Sequence, residues 1–137
     1  MKKEKMMSEF MLGREVDEEE IGTLTVFPVD TMTSIEFRSQ ELEALCPAVA
    51  HVQPDIYDMT ISFTSNYSIE SKSLKLWLVT YRNQRIFAEH LAVDIAQKVQ
   101  QALTNVDAVT SGVTVSLVQN IRGGIVETVS HTTEGNP

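Results

Sequence analysis

Residues 57 to 63 alternate without exception: Tyr57, Met59, Ile61 and Phe63 are apolar, and Asp58, Thr60 and Ser62 are polar. A two-residue period puts the four apolar side chains on one face, so the segment predicts a β-strand with one buried side. Further on, Phe87, Leu91, Ile95, Val99 and Leu103 recur every four residues, with Ala92, Ala96 and Ala102 beside them. That spacing predicts a long amphipathic helix ending near Asn105. Neither element can bury its apolar face alone, and each can cover the other.

The rest of the chain supplies the partners. Thr33 to Arg38 predicts a short strand with Ile35 and Phe37 on one face, followed by Glu41-Leu42-Glu43-Ala44-Leu45 and a break at Cys46-Pro47. Ser65-Asn66-Tyr67-Ser68 predicts a turn-rich connection. Glu70 to Tyr81 admits two readings. Leu74, Leu76 and Leu78 alternate as in a strand, whereas Ser71 or Ser73 as a cap suits a helix with Leu74, Trp77, Leu78 and Tyr81 on its apolar face. Val113 to Val118 and Ile125 to His131 predict two strands, joined by Arg122-Gly123-Gly124 as a tight hairpin turn. Residues 1–22 are polar, end in the acidic run Asp17 to Glu20 and predict a mobile arm. Residues 23–131 form the domain, and the polar tail 132–137 is expected to fray. The order predicts an α+β fold, an antiparallel sheet with helices packed on one face. A sheet this small leaves edges that favour self-association.

At 137 residues the chain is sized for one domain. No apolar run reaches the length of a membrane span, and the start lacks the apolar stretch of a secretory signal. A single cysteine excludes an internal disulfide framework and suits a reducing cytoplasm. Eleven Lys and Arg against nineteen Asp and Glu leave a net charge of −8. Phosphate neutralisation requires the opposite sign, so a small molecule or a second copy of the chain is expected as partner, rather than nucleic acid.

Three segments carry groups suited to chemistry. Cys46 precedes a proline and so sits at a bend, with Asp55 in Gln53-Pro54-Asp55 nine residues on. A lone cysteine there reads either as a small buried hydrophobe or as a nucleophile with a nearby proton donor. His51 is a loop residue or a base for the thiol. His51, His90 and His131 have no ligand spacing, so no metal site is expected. Glu70-Ser71-Lys72-Ser73-Leu74-Lys75 combines an acid, hydroxyls and two ammonium groups without the glycines of a phosphate loop. Glu89 falls in the first turn of the long helix, where the dipole favours an acid.

In order, Glu41-Leu42-Glu43-Ala44-Leu45-Cys46-Pro47, Gln53-Pro54-Asp55, Glu70-Ser71-Lys72-Ser73-Leu74-Lys75-Leu76, Tyr81-Arg82-Asn83, Phe87 with Glu89, and Arg122-Gly123-Gly124-Ile125 resemble the motifs of the short-form NADPH-dependent 7-cyano-7-deazaguanine (preQ0) reductases. These are nitrile reductases of the queuosine pathway, with the tunnelling fold shared with GTP cyclohydrolase I. The resemblance covers about residues 35 to 130. It implies that Cys46 attacks the nitrile carbon to form a thioimide, that Asp55 protonates the nitrogen, and that two hydrides from NADPH give the amine, preQ1. It implies that Ile69, Glu70 and Ser71 hold the deazaguanine, that Ala88 and Glu89 line the same site, and that Glu89 takes the guanidine-like edge. Lys72, Lys75 and Arg122 are the implied phosphate contacts for NADPH. Ser73 to Tyr81 is then helical, and the chain forms a ring-type homo-oligomer with sites between subunits.

Two positions depart from the family pattern. The family spaces its Cys and Asp by seven, and here Ala50-His51-Val52 makes the spacing nine; the family has His where this chain has Ala88. Two further readings stay open. One is a thioimide-forming relative that adds ammonia to preQ0 without NADPH, and the other is a purine- or pterin-binding protein without catalysis.

Overall fold

The alternating segment is the middle of a longer strand. The computed structural model describes residues 22–48, 54–121 and 123–136; the expected arm, apart from Gly22, lies outside them, as do His51 and Arg122. Four strands, β1 (Val26–Leu45), β2 (Pro54–Ile69), β3 (Thr114–Ile121) and β4 (Ile125–Thr132), form one antiparallel sheet in the order β1-β2-β3-β4. Helices α1 (Ser71–Val79) and α2 (Ala88–Thr104) lie between β2 and β3 in sequence. The expected α+β architecture is therefore present.

Burial follows the periods in the sequence. Tyr57, Met59, Ile61 and Phe63 are buried, as are Val115 and Leu117 on β3, and Leu91, Ile95, Val99 and Leu103 of α2 are fully enclosed. In α1, Leu74 and Trp77 face the core, and Tyr81 follows just after the helix with its ring edge-on to Trp77 at 5.4 Å. The Tyr81 hydroxyl donates to Asp94 of α2 at 2.5 Å, which ties the two helices together. Among the described residues no helix is long and apolar enough to cross a membrane.

The structure corrects four expectations. The first strand spans 20 residues instead of Thr33 to Arg38. It pairs with β2 along both halves, with shifts between Pro28 and Thr33 and between Ser39 and Leu42. Ser65 to Ser68 is not a turn but the end of β2, with Tyr67 and Ser68 opposite Pro28 and Phe27. Its polar side chains serve cross-links: the Ser65 hydroxyl donates to the Val109 carbonyl, and the Asn66 Oδ1 accepts from the Val109 N–H. The cap of α1 is Glu70, not Ser71 or Ser73. Its two carboxylate oxygens accept the N–H groups of Ser73 at 2.7 Å and Lys72 at 3.2 Å, two donors that one hydroxyl cannot satisfy as well. Ser73 is buried instead, accepting from the Thr25 N–H and donating to the Glu70 carbonyl.

The tail does not fray. The Thr133 hydroxyl accepts from the Val113 N–H and donates to Gln100, and Asn136 exchanges both backbone hydrogen bonds with Thr110. Local composition carries no sign of these non-local bonds. Gly135 passes so close to the Thr110 and Ser111 backbone that a Cβ there meets it. Gly135→Ala is therefore expected to lower stability by about 1–3 kcal/mol, the usual cost of overpacking. Chemical denaturation measures this, and a loose tail would show no change.

Candidate active site

The site begins at the break after β1. Leu45 pairs with Pro54 of β2, and proline has no N–H to give across that pair. The Leu45 N–H instead donates to the Gln84 carbonyl at 2.8 Å, and its carbonyl accepts from the Ile86 N–H at 3.0 Å. Arg85 adds a guanidinium hydrogen bond to the Cys46 carbonyl at 2.9 Å. Together these bonds hold half-buried Cys46 beside Phe87 and the first turn of α2.

A bulge sets which way Cys46 faces. Between Ser39↔Met59 and Leu42↔Tyr57, β1 advances three residues while β2 advances two. The extra residue moves the inward row of β1 from Ile35 and Phe37 to Leu42 and Ala44. Ala44 stands opposite Asp55. The next position in that row is Cys46.

The inward row of the sheet changes character at this end. Met59, Leu117 and Val129 align across β2, β3 and β4 as core. One step towards Cys46 the same face carries Tyr57 on β2 and the cross-strand pair Gln119 and Glu127 on β3 and β4. Because α2 starts only at Ala88, this part of the sheet is left uncovered and becomes a cavity of about 600 Å³, large enough for a bicyclic heterocycle. Cys46, Asp55, Tyr57, Ala88, Glu89 and Glu127 line it, with Ile56 and Phe87 as apolar walls.

Its charges interact. Burial raises the Asp55 carboxyl above the usual carboxylate range, favouring its protonated form. Glu89 and Glu127 hydrogen-bond to each other, which lowers Glu89 and raises Glu127. Burial, and then the negative charges of Asp55, Cys46, Glu127 and Glu89, push the Tyr57 phenol well above its ordinary range. It stays protonated.

Of the residues singled out in the sequence, Cys46, Asp55, Ala88 and Glu89 thus share one cavity. Ile69, Glu70 and Ser71 do not join them. They sit at the opposite end of the 16-residue strand β2, at its junction with α1. Lys75 faces a separate groove of about 470 Å³ with Ser71, Arg38 and Arg82. Tyr57 and Glu127 escaped the sequence reading: Tyr57 passed as one apolar residue of an alternating strand, and Glu127 lay inside a predicted strand. The available signal for Glu127 was parity, since it shares a face with Val129. Among the described residues no group of three or more His, Cys, Asp or Glu is placed to hold a metal ion.

The family model described as QueF-like protein matches residues 54–136. The chain is 37% identical over 112 residues to the NADPH-dependent 7-cyano-7-deazaguanine reductase of Frankia casuarinae, covering 80% of this chain and 84% of that protein. It is 39% identical over 98 residues to the enzyme of the same name from Syntrophus aciditrophicus, covering 69% and 67%. Among solved structures, the archaeosine synthase QueF-Like in its apo form matches with a TM-score of 0.60 at 21% identity. That match covers 77% of this chain and 96% of the other and is a likeness of fold.

The opposite shifts of the two acids are directly testable. A carboxyl-resolved NMR titration is expected to place Glu127 above, and Glu89 below, the ordinary glutamate value. In Glu89→Gln, which cannot ionise, Glu127 is expected to fall back towards that value. Two carboxyls titrating alike in the unmodified protein would contradict the hydrogen bond between them.

Proposed function

The chain belongs to the QueF-like protein family, and from that membership together with the Cys46–Asp55 cavity we infer that it is an NADPH-dependent nitrile reductase acting on 7-cyano-7-deazaguanine in queuosine biosynthesis. The observation that carries this reading is the meeting of a half-buried thiol and a raised carboxyl in one cavity beside the start of a helix.

The chemistry follows from the groups present. The Cys46 thiol releases its proton to solvent, its sulfur bonds to the nitrile carbon, one C–N π bond breaks, and the electron pair of that bond goes to nitrogen. The nitrogen takes its proton from Asp55, whose burial keeps the carboxyl protonated to higher pH than an exposed aspartate. The product is a covalent thioimide on Cys46. Glu89, in the first turn of α2 and lowered by its hydrogen bond with Glu127, accepts the paired N–H donors of the guanidine-like edge. NADPH, when bound, supplies the two hydrides that carry the thioimide to the amine.

The donor set at α1 fits a phosphate-bearing cofactor. Lys75, Arg38 and Arg82 line one groove together with Glu41 and Glu43, and of its three cations Arg82 is paired with Glu43 at 3.7 Å, which leaves Lys75 and Arg38 as the groups suited to phosphate oxygens. Lys72, Lys75 and Arg122 are the phosphate contacts in this reading. Ile69, Glu70 and Ser71 contact the heterocycle, and their distance along β2 from Cys46 means that they do so in a neighbouring subunit's site. The protein accordingly acts as a homo-oligomer. Exposed Ile125 and Val126 on the edge strand β4 offer apolar surface for that assembly. We place the enzyme in the cytoplasm, where its cysteine remains a thiol.

Intact-mass measurement after mixing with 7-cyano-7-deazaguanine alone is expected to show one substrate added per chain, and none on Cys46→Ala. NADPH is then expected to discharge the adduct, two consumed per amine formed. An adduct that ammonia discharges and NADPH does not would assign the chain to amidine formation, and tight purine binding without an adduct would make it a binding protein.

The shared site has its own test. Cys46→Ala and Glu70→Gln are each expected to be inactive, and the two co-expressed in one cell are expected to assemble into oligomers with restored turnover. Continued inactivity of the mixed oligomers would confine each site to one chain.

A further inference from the structure

The Tyr57 side chain is 1% exposed, and its hydroxyl has no hydrogen-bond partner among the described residues. A buried phenol normally finds an acceptor, because leaving one unmade costs stability. Tyr57 nevertheless lines the cavity of Cys46 and Asp55, two residues along β2 from Asp55 and on the same strand face. The hydroxyl is thus an unused donor enclosed behind the lining of that cavity. The opposite wall has none to offer at position 88, since Ala88 ends in a methyl group.

We propose that the Tyr57 hydroxyl is a catalytic hydrogen-bond donor to the nitrile nitrogen while the Cys46 sulfur adds to the nitrile carbon. This rests on the reading of the cavity as a nitrile-reducing site. As the S–C bond forms, the π pair moves to nitrogen, and negative charge accumulates there before the Asp55 proton arrives. Tyr57 donates its hydrogen bond to that charge and keeps its own proton, so the proton count is unchanged. Asp55, Cys46, Glu127 and Glu89 are the groups whose charges act on the phenol, and all four line the same cavity. The same charges, with burial, keep the phenol protonated and therefore a donor.

Tyr57→Phe removes the hydroxyl alone. Adduct formation with 7-cyano-7-deazaguanine, followed by quench and intact mass without NADPH, is expected to slow by ~10²-fold, the usual loss for one donor at a developing anion. It is still expected to reach one adduct per chain. Binding of 7-deazaguanine, which lacks the nitrile, is expected to be unchanged, and the melting temperature unchanged or higher because an unpartnered hydroxyl has been removed. A Phe variant that forms the adduct at the wild-type rate overturns the assignment. So does a variant that loses 7-deazaguanine binding in proportion, which would put the hydroxyl on the ring. A wild-type protein that forms no adduct at all defeats the nitrile-reductase reading itself, and the assignment falls with it.

Discussion

The two-sided pairing of Leu45 is the interaction on which the site depends. One side of this residue lies against Pro54, which can donate nothing, and the other exchanges both backbone bonds with Gln84 and Ile86. The first strand pair is thereby tied to the segment that delivers the chain into α2. Without that tie Cys46, just past the end of β1, and Glu89, in the first turn of α2, would belong to separate parts of the fold. With it, a bond pattern of two N–H donors at 2.8 and 3.0 Å places Cys46 within reach of the same ligand as Glu89.

The bulge in β1 is the second requirement. A strand of strict period two keeps one parity inward throughout, and Cys46 has the opposite parity from Ile35 and Phe37. One extra residue between Ser39 and Leu42 reverses the parity and brings Leu42 and Ala44 to the core face. The device that finishes the core therefore lies on the strand that leads to Cys46 and the cavity it lines. Bulges next to active sites commonly act in this way, by re-aiming a side chain.

The cavity is an interrupted core. Along the inner face of the sheet, apolar residues pack under α2 as far as its first turn, and beyond that turn the face carries Tyr57, Gln119 and Glu127. Burial there raises Asp55, while the hydrogen bond between Glu89 and Glu127 lowers the first and raises the second. Glu70 serves in a different way. It caps α1 with both carboxylate oxygens, and a carboxylate has about four lone-pair positions, so acceptor capacity remains beyond the two N–H groups it takes.

What the sequence determined by itself was local. The alternation at Tyr57 to Phe63 and the four-residue spacing from Leu91 to Leu103 each satisfy a period of the backbone, and both elements formed where those periods run. Gly123 and Gly124, at φ of 84° and 80°, turn the β3–β4 hairpin as their lack of a Cβ permits. Cys46, Asp55 and Glu89 were legible because reactive residue types stand beside proline breaks and a helix start. Tertiary structure decided whatever depended on distant partners. The length and bulge of β1 come from pairing with β2, the strand at Ser65 to Ser68 from cross-links to Val109, and the anchored tail from Thr110 and Val113. Tyr57 looks identical to its buried neighbours in a list of residues. Only the place where α2 starts makes it line a cavity as well as the core, because a strand's period says which side a residue faces and nothing about what covers that side.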